Sequence, residues 1–231
     1  MIKVILAAML TCVVGYVGFT KFGNPFSTPQ NGWERKAALE TPWRMHNLAE
    51  QSNRISNWPP RVGGSFPKVE LLDHAGKPFD LKSLHGKPTV VEFVSMSCAG
   101  CQAFAGGKQF GAYGDLAVQP KLESFEHYLQ QYAGVDLDSG DINLVIAVVY
   151  NDQLQSPTAE DLARWRNHFQ LNRPNTYLVS SPELASGTTF KMIPGFMLLD
   201  DRQEVKFDST GHHPQHNLYT ELLPAIPKLL P

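Results

Sequence analysis

Cysteine is scarce in this chain. Three cysteines in 231 residues are too few for a fold stapled by several disulfides, and two of them stand at 98 and 101. Used so sparingly, cysteine points to chemistry rather than cross-linking. Charge of one sign is also lacking: 20 Lys and Arg stand against 22 Asp and Glu, a net of -2 at pH 7. No basic stripe interleaved with aromatics occurs, so the chain carries no nucleic-acid signature. No internal repeat is present, which excludes a solenoid or a propeller. What is there has a globular composition, 42% hydrophobic and 18% charged. The length suits one core of ordinary size but not two large domains.

The chain opens on an uncharged, mostly apolar run from Val4 to Thr20, closed by Lys21. Its length is at the short end of what spans a bilayer. It is slightly long for the apolar part of a cleaved signal, and no convincing small-residue cleavage site ends it. Residues 1–21 are therefore expected to be a signal anchor or transmembrane helix, with a cleaved signal as the alternative. Both readings put the rest of the chain on the exported, periplasmic or extracytoplasmic side. The third cysteine, Cys12, lies inside this run. Residues 22–64 are punctuated by Gly23, Pro25, Pro29, Gly32 and Pro42, then by Trp58-Pro59-Pro60 and Gly63-Gly64. They read as a stalk or linker, in which Trp33 and Trp43 could sit at a membrane interface.

Regular patterning occupies residues 65–231. A leading hairpin is expected from Val69 to Leu81, around the turn His74-Ala75-Gly76-Lys77. Two apolar runs follow, TVVEFV at 89–94 and LVIAVV at 144–149, the second apolar enough for the middle of a sheet. Helices are expected over 120–133, over 157–169 with Ser156 as cap, over 182–190, and over 215–229. Short strands are expected at 177–179, 196–199 and 205–207. Strands alternating with helices, closed by a hairpin and a helix, make an α/β domain around one central mixed sheet.

Cys98-Ala99-Gly100-Cys101 follows directly on the strand TVVEFV, where a helix is expected to begin. A thiol at a helix start meets unpaired backbone N–H groups, which favour the thiolate, the attacking species. Two intervening residues let the second sulfur reach the first within one turn, so Cys98 can attack and Cys101 can resolve. Zinc sites use the same spacing, but zinc needs two further ligands. No second cysteine pair exists, and Cys12 is remote in sequence. Strand followed by CxxC favours redox chemistry.

The segment from Gly86 to Cys101, GKPTVVEFVSMSCAGC, resembles the active-site segment of thioredoxin-fold proteins. Met192 to Asp200, MIPGFMLLD, resembles their second signature, a cis-proline entering a strand. With the leading hairpin and central insertion, residues 66–231 are similar to the TlpA-like, membrane-anchored branch. The resemblance implies a thioredoxin-like fold and a protein thiol–disulfide oxidoreductase without a cofactor. Its partners would be proteins bearing disulfides or thiols, and a further redox protein would recycle the pair. Cys98 would be the nucleophile, Cys101 the resolving thiol and Pro194 the cis-proline beside them. Glu92 would be a buried acid with a raised pKa that relays a proton to or from Cys101. Ile193, Ala99, Gly100 and Phe196 would meet the substrate. Ile193 before the proline is shared with thioredoxin and leans toward a reductase.

The chain also departs from that family. Val94 and Ser97 stand where tryptophans are common, and Ala99-Gly100 replaces a bulkier dipeptide. Ser97 could donate to the thiolate or merely fill space. Residues 105–118 form a Gly-rich insertion, which either shapes substrate choice through Phe104, Phe110 and Tyr113 or is a tolerated surface loop. It is not a phosphate loop, because neither Ser nor Thr follows Lys108. An alternative from another class is a copper chaperone that uses Cys98, Cys101 and one of His212, His213 and His216. No metal is expected at this pair.

Overall fold

The computed structural model describes residues 55–230 apart from His212. The anchor expected over residues 1–21, Cys12, the stalk up to residue 54 with Trp33 and Trp43, and His212 lie outside the described residues. Among the described residues no helix is long and apolar enough to cross a membrane.

Seven strands make one sheet: β1 (Leu71–Asp73), β2 (Pro78–Phe79), β3 (Thr89–Ser95), β4 (Asn143–Tyr150), β5 (Thr176–Ser180), β6 (Gly195–Leu199) and β7 (Val205–Thr210), in the order β2-β1-β5-β4-β3-β6-β7. The two most apolar runs lie at the centre. Every residue of β3 and β4 is buried, as strands covered on both faces require. β3, β4 and β5 run parallel, while β6 is antiparallel to β3, β7 to β6, and β1 to β5. The leading hairpin turns on Asp73, whose carboxylate accepts from the N–H groups of Ala75 and Lys77 at 2.8 Å each.

Four helices matter for the site: α1 (Ala99–Phe104), α2 (Gly107–Phe110), α3 (Phe125–Ala133) and α4 (Ala159–His168). α1 stops after six residues because Gly106 adopts a left-handed φ of 103°. The helix expected from residue 120 begins only at Phe125, since Lys121 has φ 67° and the Ser124 hydroxyl accepts from the His127 N–H. α4 is capped by Thr158 rather than Ser156. The Thr158 hydroxyl and the Asp161 carboxylate satisfy each other's backbone N–H groups, and this reciprocal pair outcompetes a lone serine. The expected 182–190 helix is two single turns, because Ser186 starts a new cap toward Thr189. The expected 215–229 helix is a chain of short turns from Leu218 to Lys228, broken at Pro224 and Pro227, which lack the N–H that a continuous helix uses.

The folded domain begins earlier than residue 65. Ile55 belongs to the core, and Trp58 packs edge-on against Phe66 and Phe93, with ring centroids 6.0 and 5.9 Å away. The Gly63 N–H donates to the Val205 carbonyl, and the Val205 N–H returns to Gly64. Residues 55–64 are therefore part of the domain rather than the end of a stalk. The proline and glycine punctuation that suggested a linker instead shapes a strap paired with the start of β7 at Val205.

Candidate active site

β3 ends in a tight turn that presents the first cysteine. The Met96 N–H donates to the Tyr150 carbonyl on β4, and the Cys98 N–H closes on the Ser95 carbonyl at 3.0 Å. Cys98 is the residue that caps α1, and its sulfur accepts from the Cys101 N–H at 3.4 Å. The Cys98 thiol is pulled from its ordinary 9.0 to about 7. The Cys101 thiol, which donates to its sulfur, is the main cause, helped by the backbone N–H groups of Cys101 and Gly100 against the opposing effect of burial. Cys98 is half-buried and Cys101 has no exposure at all. Burial, then the hydrogen bond to Cys98, push the Cys101 thiol well up. The two sulfurs are thus unlike: an accessible one that ionises near neutrality, and a hidden one that keeps its proton. Ser97 does not serve the thiolate. Its hydroxyl pairs with the hydroxyl of Ser95 at 2.8 Å.

The Ile193–Pro194 bond is cis. A Cβ built on Gly100 would meet Pro194 Cγ at 3.4 Å and Cys98 Sγ at 3.8 Å, so the proline, the dipeptide and the nucleophile share one corner. The Ile193 N–H is engaged by the Phe190 carbonyl at 3.3 Å, and among the described residues nothing donates to the Ile193 carbonyl. That carbonyl is the backbone group left to meet an incoming chain. The Ile193 side chain is buried, as is Gly100, while Ala99 is half-exposed. Phe196 is not at the surface. It is 2% exposed and packs against Phe104 and Phe125 with centroids 5.0 Å away, because the strand alternation turns it inward under α1 and α3.

Glu92 lies opposite Phe196 on one side and Ile146 on the other, and is 2% exposed. Burial, then the neighbouring Cys98 charge, raise its carboxyl from 4.5 to about 8. It makes no ion pair with Lys87, whose ammonium donates to the Gly140 carbonyl at 2.7 Å. Glu92 also lines a cavity of about 430 Å³ with Phe104, Phe125, Ile146 and Thr176, with Glu126, Asp138 and Arg173 among its other lining residues. Glu92 Oε1 and Thr176 Oγ1 are buried and have no hydrogen-bond partner among the described residues. This cavity had no signal in the sequence, since its lining comes from segments between residues 92 and 176 that only the fold assembles.

The insertion 105–118 is docked, not loose. The Gln102 side chain donates to the carbonyls of Met96 and Tyr113 and accepts from the Tyr113 N–H at 2.9 Å. The Tyr113 ring packs on Trp165 and His168 of α4, with centroids 5.1 and 5.4 Å away. Phe104 is buried, so it is a core residue rather than a substrate contact. Of the histidines, His216 is tied into the fold. Its Nδ1 accepts from the Asp208 N–H at 3.2 Å and its ring packs on Phe207. Among the described residues, neither cysteine belongs to a group of three side chains placed to share a metal ion.

A mixed sheet of this order, a CxxC pair opening the helix after a central strand, and a cis-proline facing that pair define a thioredoxin-fold protein. No family model and no curated protein matches the chain. Among solved structures it is similar to a thiol peroxidase from Chromobacterium violaceum (17% identity, 78% of this chain and 91% of that one, TM-score 0.47). It is also similar to a secreted Mycobacterium tuberculosis disulfide oxidoreductase homologous to E. coli DsbE (16%, 70% and 96%, TM-score 0.43). A third is Arabidopsis thaliana ScoI with copper bound (16%, 73% and 99%, TM-score 0.44).

Proposed function

We propose that the chain is an exported, membrane-anchored thiol–disulfide oxidoreductase that reduces disulfides of partner proteins with the Cys98–Cys101 dithiol, a second redox protein returning the pair to the reduced state. The observation that carries this reading is the division between the two thiols, one half-exposed with its pKa near 7 and one fully buried with its pKa raised. The Cys98 thiolate attacks one sulfur of a substrate disulfide, and the other sulfur leaves as a thiolate and takes a proton. In the resulting mixed disulfide Cys98 no longer carries charge. One of the two causes that hold Glu92 protonated is then gone. Glu92 can ionise, accept the Cys101 proton, and free that sulfur to attack Cys98. The second substrate sulfur departs as a thiolate and takes a proton from solvent, and the pair is left as a disulfide. Two electrons have passed to the substrate.

With the partner covering Cys98, the cavity behind Glu92 offers the proton another way out. Its volume admits on the order of ten waters at ~30 Å³ each, and its unpartnered oxygens suit hydrogen bonding to them.

Two measurements test the reading. Cys101→Ser should accumulate partner proteins on Cys98 as mixed disulfides, and the midpoint potential of the pair should lie in the reducing range, near that of thioredoxin at about -270 mV. A pair that forms no disulfide sinks the proposal, and a potential near -120 mV makes the protein an oxidant instead. The apolar run Val4–Thr20 carries the anchoring in this reading. Release of the full-length chain from membranes by alkaline carbonate would overturn that part.

A further inference from the structure

The insertion 105–118 ends beside the nucleophile. Its first half is held by the Gln102 clamp to Tyr113, and Gly107 packs so closely on Val118 that an added Cβ would lie 2.7 Å from Val118 Cγ2. The next residue, Gln119, reaches the active-site turn. Its N–H donates to the Ala99 carbonyl at 3.2 Å. Its Oε1 lies 3.0 Å from the point where a Gly100 side chain would begin, the same point that Pro194 Cγ and Cys98 Sγ approach. The side chain of Gln119 is only partly buried, and its amide makes no hydrogen bond to the described residues.

These contacts explain two oddities together. A side chain at Gly100 would press on the end of the Gln119 side chain and touch Pro194, so the small residue before Cys101 leaves the amide its place. A loop that looks like a surface insertion delivers a polar amide to a corner whose other walls are Cys98 and the cis-proline. A peptide approaching Cys98 as an extended strand can use the free Ile193 carbonyl on the proline side. In the same corner the Gln119 amide is able both to donate and to accept.

We infer that Gln119 is a substrate-recognition residue: its amide hydrogen-bonds the backbone of an extended peptide segment that crosses the corner formed by Cys98, Gly100 and Pro194, so the site prefers disulfides in exposed, unfolded or loop segments over small disulfides. This rests on the thiol-exchange reading above and assigns a specificity element to that same site.

The test compares two probes on the reduced full-length chain. One is 5,5′-dithiobis(2-nitrobenzoate), which has no backbone to bind. The other is an extended peptide with one cysteine blocked as its glutathione mixed disulfide. In Gln119→Ala the ratio of peptide to small-disulfide kcat/KM should fall about fivefold, the loss of one hydrogen bond. Gly100→Ala should lower the same ratio by pushing the amide aside, and it should lower it much less in the Gln119→Ala background. A ratio unchanged in Gln119→Ala, or losses that simply multiply in the double variant, would overturn the inference while leaving the thiol chemistry intact. A wild-type chain that reacts with neither probe overturns both.

Discussion

At the scale of single residues the site is an asymmetry of solvation. Cys98 and Cys101 have the same chemistry and differ because one caps a short helix at the surface and the other lies beneath it. The thiolate fraction of Cys98 should therefore rise tenfold per pH unit below about 7 and level off above it. The rate of iodoacetamide labelling at Cys98 in Cys101→Ala gives the comparison, because losing the Cys101 thiol donor should move that midpoint upward, toward 9.0. Glu92 is the third member of the asymmetry. Glu92→Gln keeps the shape and removes the exchangeable proton. Resolution of a Cys98 mixed disulfide should then slow roughly a hundredfold, while the first attack on a disulfide is nearly unaffected. Stopped-flow single turnovers separate the two steps. That a helix starts at Cys98, that Glu92 is buried and that Pro194 follows a cis bond were legible from the motifs around them. Phe196 is not at the surface because β6 is covered on both faces and all five of its residues are buried, which a single strand read alone does not show.

At the scale of elements, the departure from a plain thioredoxin-like pattern is the broken helix after the CxxC. Gly106 ends α1, α2 turns away, and the chain returns at Gln119 before α3 continues the layer. Gln102 makes this arrangement rigid. It is fully buried and its amide is satisfied at both ends by backbone groups of the strand end and the insertion. Gln102→Ala leaves those buried carbonyls and an N–H unpartnered, so it should cost about 1–3 kcal/mol. Amide hydrogen exchange should quicken through residues 105–119 more than in β3 or β4. Equal protection in both regions would mean that the insertion is held by its aromatic contacts to α4 instead. Nothing in the sequence announced that a glutamine four residues ahead of Gly106 would clamp the break.

At the scale of the whole molecule, a carboxyl buried in the middle of the sheet links stability to pH. The folded-state pKa of Glu92 is raised from 4.5 to about 8. Between those values the unfolded chain has lost a proton that the folded chain retains, so stability should fall as pH rises through this window and flatten above about 8. The slope contributed is at most about 1.4 kcal/mol per pH unit. Cys98 acts oppositely, since its depressed pKa adds stability as pH rises from about 7 to 9. Urea titrations of the reduced chain between pH 5 and 8 should show the decline, and Glu92→Gln should remove most of it. By itself the sequence determined the α/β class, the burial of the two apolar strands with 144–149 at mid-sheet, and the place of the Cys98–Cys101 pair after the first of them, because hydrophobic periodicity and short-range spacing are local properties of the chain. Only the tertiary structure decided where the domain begins, that Phe196 faces inward, that a cavity reaches Glu92, and that Gln119 comes to rest beside Gly100. Those are contacts between segments far apart in sequence, and their geometry is set by how helices and strands close over one another rather than by any run of neighbouring residues.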